Sequence, residues 1–118
     1  MKVSIAALIN ATQTFNKIID KELSPVTSFK LVKLIKAIND EIEIFEKEKN
    51  KLLEKYGNKN EDGTYSILEE NKELWNKDIT DLLSLEVDIV GDKINLSNEE
   101  IKISPADMMK IEEFIEME

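Results

Sequence analysis

Apolar residues recur at alternating steps of four and three along residues 24–56. They are Leu31, Ile35, Ile38, Ile42, Phe45, Leu52 and Tyr56, with Lys49 at the one polar place. This is a heptad seam, which is typical of a helix that packs on other helices. Ser24 and Pro25 provide start signals, and Gly57 can take the left-handed conformation that ends a helix. The pattern predicts one helix over 25–56, about 48 Å long, around which the remaining chain packs.

Two further stretches have helical spacing. Ser4 can cap a first helix over 4–22, whose apolar residues return every three or four positions. Ser66 and Glu69 form a capping box ahead of an apolar stripe, which predicts a third helix over 67–84. Because the connections are short, we expect the three helices to pack antiparallel.

The spacing of apolar residues changes from helical to alternating after residue 85. Val87 and Ile89 precede Gly91, and Ile94 and Leu96 follow it, so a tight turn there predicts a β-hairpin over 86–96 with all four side chains on one face. The alternation over 101–103 suggests a third short strand. A serine followed by proline then predicts a final helix over 105–116.

The length of 118 residues suits one domain. We therefore expect a single domain over 1–118 of the α+β class, mainly α. Its architecture is predicted to be an antiparallel helical bundle around one long helix, with a small β-hairpin and a short C-terminal helix.

The composition removes several kinds of chemistry. The chain has no cysteine and no histidine, and all of its 16 basic residues are lysine. A thiol nucleophile, a thiolate zinc site, an imidazole base and an arginine finger are therefore impossible. The three glycines form no phosphate-binding loop. We expect a protein that is not an enzyme and takes no cofactor.

The net charge of −9 is unevenly distributed. Residues 1–65 carry 11 lysines and 10 acids, whereas residues 66–118 carry 5 lysines and 15 acids. The acidic half would be repelled by nucleic acid and by anionic lipid, so we expect neither as a partner. A basic protein partner fits this half, although a solubilising surface explains the same asymmetry. The candidate protein-binding residues are Asp88, Asp92, Glu99 and Glu100.

A local basic patch contrasts with the acidic half. Lys30, Lys33 and Lys36 lie near Lys17 and Lys21 if the first two helices pack together. Without arginine or interleaved aromatic residues this patch is a weak nucleic-acid signal. No apolar run reaches the roughly 20 residues needed to cross a bilayer, and the first residues do not resemble a signal peptide, so we expect a cytoplasmic protein with no membrane contact.

The loop after the long helix matches the spacing of a calcium-binding loop. Its ligands would be Asn58, Asn60, Asp62, Thr64, Ser66 and Glu69, with Gly63 at the sixth position. Only Asp62 and Glu69 would bring formal charge, and no second loop is there to pair with it. A turn followed by a helix cap is therefore the favoured interpretation, and no metal is expected.

Several segments resemble a family of small uncharacterised proteins encoded by phages and prophages of low-GC Gram-positive bacteria. The matching segments are LSPVTSFKLVKLIKAI at 23–38, LEKYG at 53–57 with EDG at 61–63, LEVDI at 85–89, and ISPADMM at 103–109 with FI at 114–115. They span nearly the whole chain but consist of caps, seams and turns. The resemblance implies a phage origin and a bacterial host cell, and it brings no catalytic residue.

Three functions remain open on the sequence. The favoured one is a non-enzymatic accessory factor that binds a host or defence protein, possibly through its acidic C-terminal half. The first alternative is a phage assembly factor or minor virion component that oligomerises through the long helix. The second is a weak calcium-binding helix-loop-helix module. A homodimer is also an option, because residues 47–56 overhang the shorter first helix.

Overall fold

The computed structural model describes residues 1–116 of the chain, and within them it forms four α-helices and six short strands. The helices are α1 (Ile5–Ile18), α2 (Pro25–Tyr56), α3 (Lys72–Ser84) and α4 (Pro105–Ile111). The strands are β1 (Lys2–Ser4), β2 (Gly57–Lys59), β3 (Tyr65–Ile67), β4 (Glu86–Asp88), β5 (Ile94–Asn95) and β6 (Ile115–Glu116). The predicted class, α+β and mainly α with one long helix, is confirmed. Residues 117 and 118 of the expected domain lie outside the described residues.

The long helix has the predicted bounds and the predicted buried seam. Leu31, Ile35, Ile38, Phe45 and Tyr56 are buried along it. The other two seam residues, at positions 42 and 52, are half-buried. A heptad repeat of apolar residues keeps one face of a helix against its neighbours over many turns, which explains why this element could be read from the sequence.

Gly57 ends α2 in a different way from the one predicted. Its φ of −126° and ψ of 174° are extended, and it is the first residue of β2. A Cβ atom here would lie 2.8 Å from the Ser66 carbonyl oxygen and 2.9 Å from that of Leu53. Close approach of two backbone segments, and not a left-handed conformation, therefore requires glycine at this position.

The other helices are shorter than predicted. The Ser4 hydroxyl caps α1 by accepting a hydrogen bond from the Ala7 amide at 3.1 Å, but α1 ends at Ile18 and not at residue 22. The capping box before α3 is wrong, because Ser66 lies in β3 and its hydroxyl bonds with Asn60. A single 3₁₀ turn over 69–71 precedes α3, which begins at residue 72.

The strands pair differently from the prediction. The hairpin over 86–96 is wrong, because β4 pairs antiparallel with β1 and β5 pairs parallel with β6. The small antiparallel hairpin of the protein is β2–β3, immediately after α2. The predicted strand over 101–103 is loop, and the last helix stops at residue 111 before a 3₁₀ turn and β6. Ile89, Ile94 and Leu96 are nevertheless buried, as their alternation predicted.

The core lies around α1, between the N-terminal half of α2, α4 and the strands. At its centre the rings of Phe15 and Phe114 meet edge to face, with centroids 5.7 Å apart. The buried hydroxyl of Thr14 donates a hydrogen bond to the Asp107 carbonyl at 3.2 Å, which satisfies its polar atom and joins α1 to α4. The C-terminal half of α2 is covered more thinly, since α3 contributes no fully buried residue.

The described residues form an elongated body of 53 × 29 × 24 Å. The hairpin and α3 pack on the C-terminal half of α2. The α3 helix also contacts α1, and its half-buried Ile79, Leu82 and Leu83 pack against the core. No helix of residues 1–116 combines the length and the apolar character that crossing a membrane requires.

Candidate functional site

A groove of 660 Å³ lies between the N-terminal half of α2 and the loop that follows β4. Its rim carries Val26, Phe29 and Val90, whose exposed fractions are 68%, 66% and 86%. Buried Leu34 and half-buried Ala37 also line it and form its apolar floor. Large apolar side chains that stay exposed around one concave surface are a feature of binding sites on proteins.

The α2 side of the groove is a second stripe of heptad spacing, next to the buried seam. Its members are Val26, Lys30, Lys33, Ala37 and Asp40, at steps of four, three, four and three. These positions share one face of the helix because such steps bring residues back to the same side. The seam turns one face of α2 toward the core, and the second stripe turns toward the groove.

The opposite side of the groove is the loop Val90–Gly91–Asp92. It is held in place by Ile89, which is buried and whose amide donates a hydrogen bond to the Met1 carbonyl at 2.7 Å. Gly91 has a φ of +143°, a backbone conformation that residues other than glycine rarely adopt. The buried isoleucine and the turn at Gly91 together leave Val90 pointing away from the core.

The first turn of α2 is fixed by a carboxylate from the C-terminal half of the chain. Glu99 accepts hydrogen bonds from the Ser24 amide at 2.8 Å and from the Ser24 hydroxyl at 2.7 Å. The Ser24 hydroxyl was expected to cap α2, but it accepts no hydrogen bond from a backbone amide. The amide of Ser24 itself donates a hydrogen bond to Glu99. These hydrogen bonds hold the pKa of the Glu99 carboxyl below its ordinary value. A negative charge also suits the positive end of a helix.

Four charged side chains line the groove. Lys30 and Lys33 lie on α2, with the Lys33 ammonium 5.6 Å from the centroid of the Phe29 ring. Asp40 lies farther along the same helix, and Asp92 lies on the opposite loop. Within residues 1–116 none of these four forms an ion pair. Their charges are therefore free to meet those of a ligand.

The four acids proposed to bind a protein have different surroundings. Asp88 lies 3.2 Å from the amino group of Met1, and Glu99 is bound at Ser24. Glu100 lines a separate polar depression with Lys21 and Lys102. Of the four, the structure brings only Asp92 to the groove.

The segment 58–69, where the calcium alternative placed a helix-loop-helix, contains most of the β2–β3 hairpin, so that alternative is wrong about the local fold. The Thr64 amide and hydroxyl donate to Asp62 Oδ1 at 3.0 and 2.6 Å, and these bonds lower the pKa of the Asp62 carboxyl. The Asn60 amide group donates to Thr64 Oγ1 at 2.9 Å and to Ser66 Oγ at 3.0 Å. The polar groups of this loop bond with one another.

The two outer positions of the calcium template lie apart from that network. Asn58 is an exposed residue of β2, and the Glu69 carboxylate pairs with the Lys72 ammonium at 2.6 Å. Over residues 1–116 the structure has no cluster of three or more acidic side chains placed to hold a metal ion.

No protein-family model, curated protein or solved structure matches this chain. The resemblance to phage and prophage proteins therefore stays a prediction. Function has to be argued from the geometry of the groove and the chemistry of the residues around it.

Sequence reasoning had noted Asp92, Lys30 and Lys33 but had not placed them together. It missed Val26, Phe29 and Val90, which supply the apolar surface of the groove. A signal for the first two was present, because they are apolar, three residues apart and outside the seam of α2. Val90 had no comparable signal, since it lies in a loop where no periodicity applies.

Proposed function

We propose that this protein acts by binding another protein in the groove between α2 and the Val90–Asp92 loop. The observation that carries the proposal is the group of three exposed apolar side chains on its rim, Val26, Phe29 and Val90. When a partner removes such exposed apolar side chains from water, the free energy of the system falls, and this favours binding at the concave site.

The function proposed here is of the kind inferred from the sequence, but the binding surface is the groove beside α2 and not the acidic C-terminal half. A non-enzymatic accessory factor, encoded by a phage and directed at a host or defence protein, is supported by the absent catalytic residue types and by the family resemblance. The acidic C-terminal half contributes Asp92 to the groove, whereas Asp88 and Glu99 have partners within the chain. The binding surface proposed here is thus largely apolar, with lysines on one side.

Affinity purification with paired variants tests this function. The bait is the tagged protein in infected and uninfected host cells, compared with Phe29→Asp in the groove and with Leu74→Asp as the control. Leu74 is also exposed, at 52%, but lies on α3 outside the groove. We expect one protein that wild type and Leu74→Asp recover equally and that Phe29→Asp loses.

Equal recovery of the same protein by all three baits would contradict the groove as the binding surface. Recovery of phage structural proteins alone would favour the assembly factor. That second candidate is supported by three exposed apolar residues, Ile44 on α2, Leu74 on α3 and Leu85 directly after α3. A strict monomer at high concentration in light scattering, together with absence from purified virions, would contradict it.

A further inference from the structure

The end of the molecule beyond residue 52 is held together differently from the core. We propose that residues 53–78, the distal unit, open together while the core around α1 stays folded. The distal unit comprises the last turn of α2, the β2–β3 hairpin, the 3₁₀ turn and the first half of α3. Because the groove lies outside the distal unit, the inference is independent of the proposed function.

The distal unit contributes nothing to the hydrophobic core. Ile79, the residue that follows it, packs against the core, whereas no apolar residue of the distal unit is buried in the core or packs against it. Of its residues only Tyr56 is buried. Leu52, just before the distal unit, lines a small depression with Leu82 and so lies beside the second half of α3. Segments with few buried apolar contacts open at a lower free energy than the whole domain.

The hydrogen bonds that close the distal unit converge on Tyr56. Its carbonyl accepts hydrogen bonds from the Leu68 amide at 3.1 Å and from the Asn71 side-chain amide at 3.2 Å. Its hydroxyl donates a hydrogen bond to Asp78 Oδ2 at 2.6 Å. The hairpin, the 3₁₀ turn and α3 are thus tied to the end of α2 at one residue, and displacement of Tyr56 from its buried position would release all three together.

Few other polar contacts hold the distal unit in place. Within residues 1–116, the one ion pair that leaves it is Lys77–Asp81, between neighbouring turns of α3 itself. The polar groups of the hairpin loop bond with one another, as Asp62 does with Thr64. A two-stranded hairpin and a short piece of helix are each marginal on their own, so neither stays folded once it is released from α2. Opening therefore involves the distal unit as a whole.

Hydrogen exchange of the backbone amides, followed by NMR at increasing urea concentration, tests the inference. The amides to compare are those of α1 and the hydrogen-bonded ones of the distal unit, among them Gly57, Leu68 and Asn71. We expect the distal unit to show one common opening free energy, with protection factors at least about ten-fold lower than those of α1. Its opening should also depend less on urea, because it exposes less surface than complete unfolding does.

Two variants separate opening of the distal unit from unfolding of the core. Ile111→Val removes a methyl group from the core, where Ile111 is fully buried. It should speed exchange in α1 about five-fold and leave the distal unit unchanged, because the core is intact in the open form. Tyr56→Phe should speed exchange about five-fold in both regions, since its hydroxyl bond is absent from the open form and from the unfolded chain alike. Tyr65→Phe is the matched control in the hairpin and should change neither rate.

Three results would overturn the inference. The first is one opening free energy and one urea dependence for the distal unit and α1, which would make the chain a single cooperative unit. The second is a graded series of opening free energies along the distal unit, which indicates fraying. The third is faster exchange of the distal unit in Ile111→Val, which would mean that it opens only when the core unfolds.

Discussion

The carboxylate of Glu99 joins two distant parts of the chain at one residue, Ser24. Its two short hydrogen bonds bring the loop after β5 onto the first turn of α2, next to the groove. The hydrogen bonds form with the ionised carboxylate, which is why the pKa of the Glu99 carboxyl is lowered below its ordinary value. A group with a lowered folded-state pKa stabilises the fold fully above its unfolded pKa, and that contribution is lost as the pH falls through the folded pKa.

Glu99→Gln should therefore flatten the pH dependence of stability below about pH 5. The free energy of unfolding is measured by urea denaturation across the acidic range for wild type and Glu99→Gln. Glu100→Gln is the matched control, because Glu100 is exposed and adjacent in the chain. We expect the wild type and the control to lose stability more steeply with falling pH than Glu99→Gln does. Three parallel profiles would contradict the role given to Glu99.

Gly57 shows how backbone contact, and not turn conformation, can require glycine. We expect Gly57→Ala to destabilise the protein by about 1–3 kcal/mol, because its Cβ would press on two backbone oxygens. Asn58→Ala, at the exposed next position, should change stability by less than about 0.5 kcal/mol. Urea denaturation of both variants checks this, and a neutral Gly57→Ala would show that the hairpin can shift away from α2.

At the scale of elements, α2 and α3 are joined by a hydrogen bond from the Tyr56 hydroxyl to Asp78 Oδ2 at 2.6 Å. Tyr56→Phe should lower the free energy of unfolding by roughly 1 kcal/mol, since the half-buried carboxylate loses a donor. Tyr65→Phe, in the hairpin, removes a hydroxyl that forms no hydrogen bond within the described residues and should be close to neutral. Faster amide exchange across α3 in Tyr56→Phe alone is the expected result, and equal exchange in both variants would contradict it.

The helices could be predicted because their signal is local. The seam of α2 and the serine caps of α1 and α4 depend on residues at most a few positions apart. The ends of the helices were less certain, since the chain stops a helix wherever tertiary packing favours another conformation, as at Ile18 and Ile111.

Strand partners could not be predicted in the same way. Alternation correctly marked Ile89 and Ile94 as buried, but it carries no information about the neighbouring strand. The pairing of Val3 with Val87 joins the first strand to one far along the chain, and Ile94 pairs with Ile115 in a parallel arrangement. A tight turn at Gly91 was the simplest connection that the sequence suggested, and it would have paired β4 with β5. In the structure β4 pairs with the N-terminal strand β1 instead.

At the scale of the whole molecule, the groove is assembled from parts that are far apart in sequence. One wall comes from α2 and the other from the loop after β4, whose position depends on the pairing of β4 with β1. The sequence suggested some of its charges, but only the fold shows that Phe29 and Val90 border the same surface.

Phe29→Asp should separate folding from binding. Because Phe29 is largely exposed, we expect its replacement to change the free energy of unfolding by less than about 0.5 kcal/mol. Circular dichroism and urea denaturation check this against Leu74→Asp, the control outside the groove. A large loss of stability in Phe29→Asp would mean that the phenylalanine holds the fold together and would contradict its assignment to the binding surface.

The most direct measurement is photo-crosslinking in host cells from position 90. A photoreactive amino acid replaces Val90 on the rim of the groove, and in a separate variant it replaces Leu74 on α3. Binding in the groove predicts a single crosslinked protein from position 90, absent from position 74 and lost when Phe29→Asp is added. Crosslinks of equal yield from both positions, or none from position 90 while the partner is still captured, would contradict it.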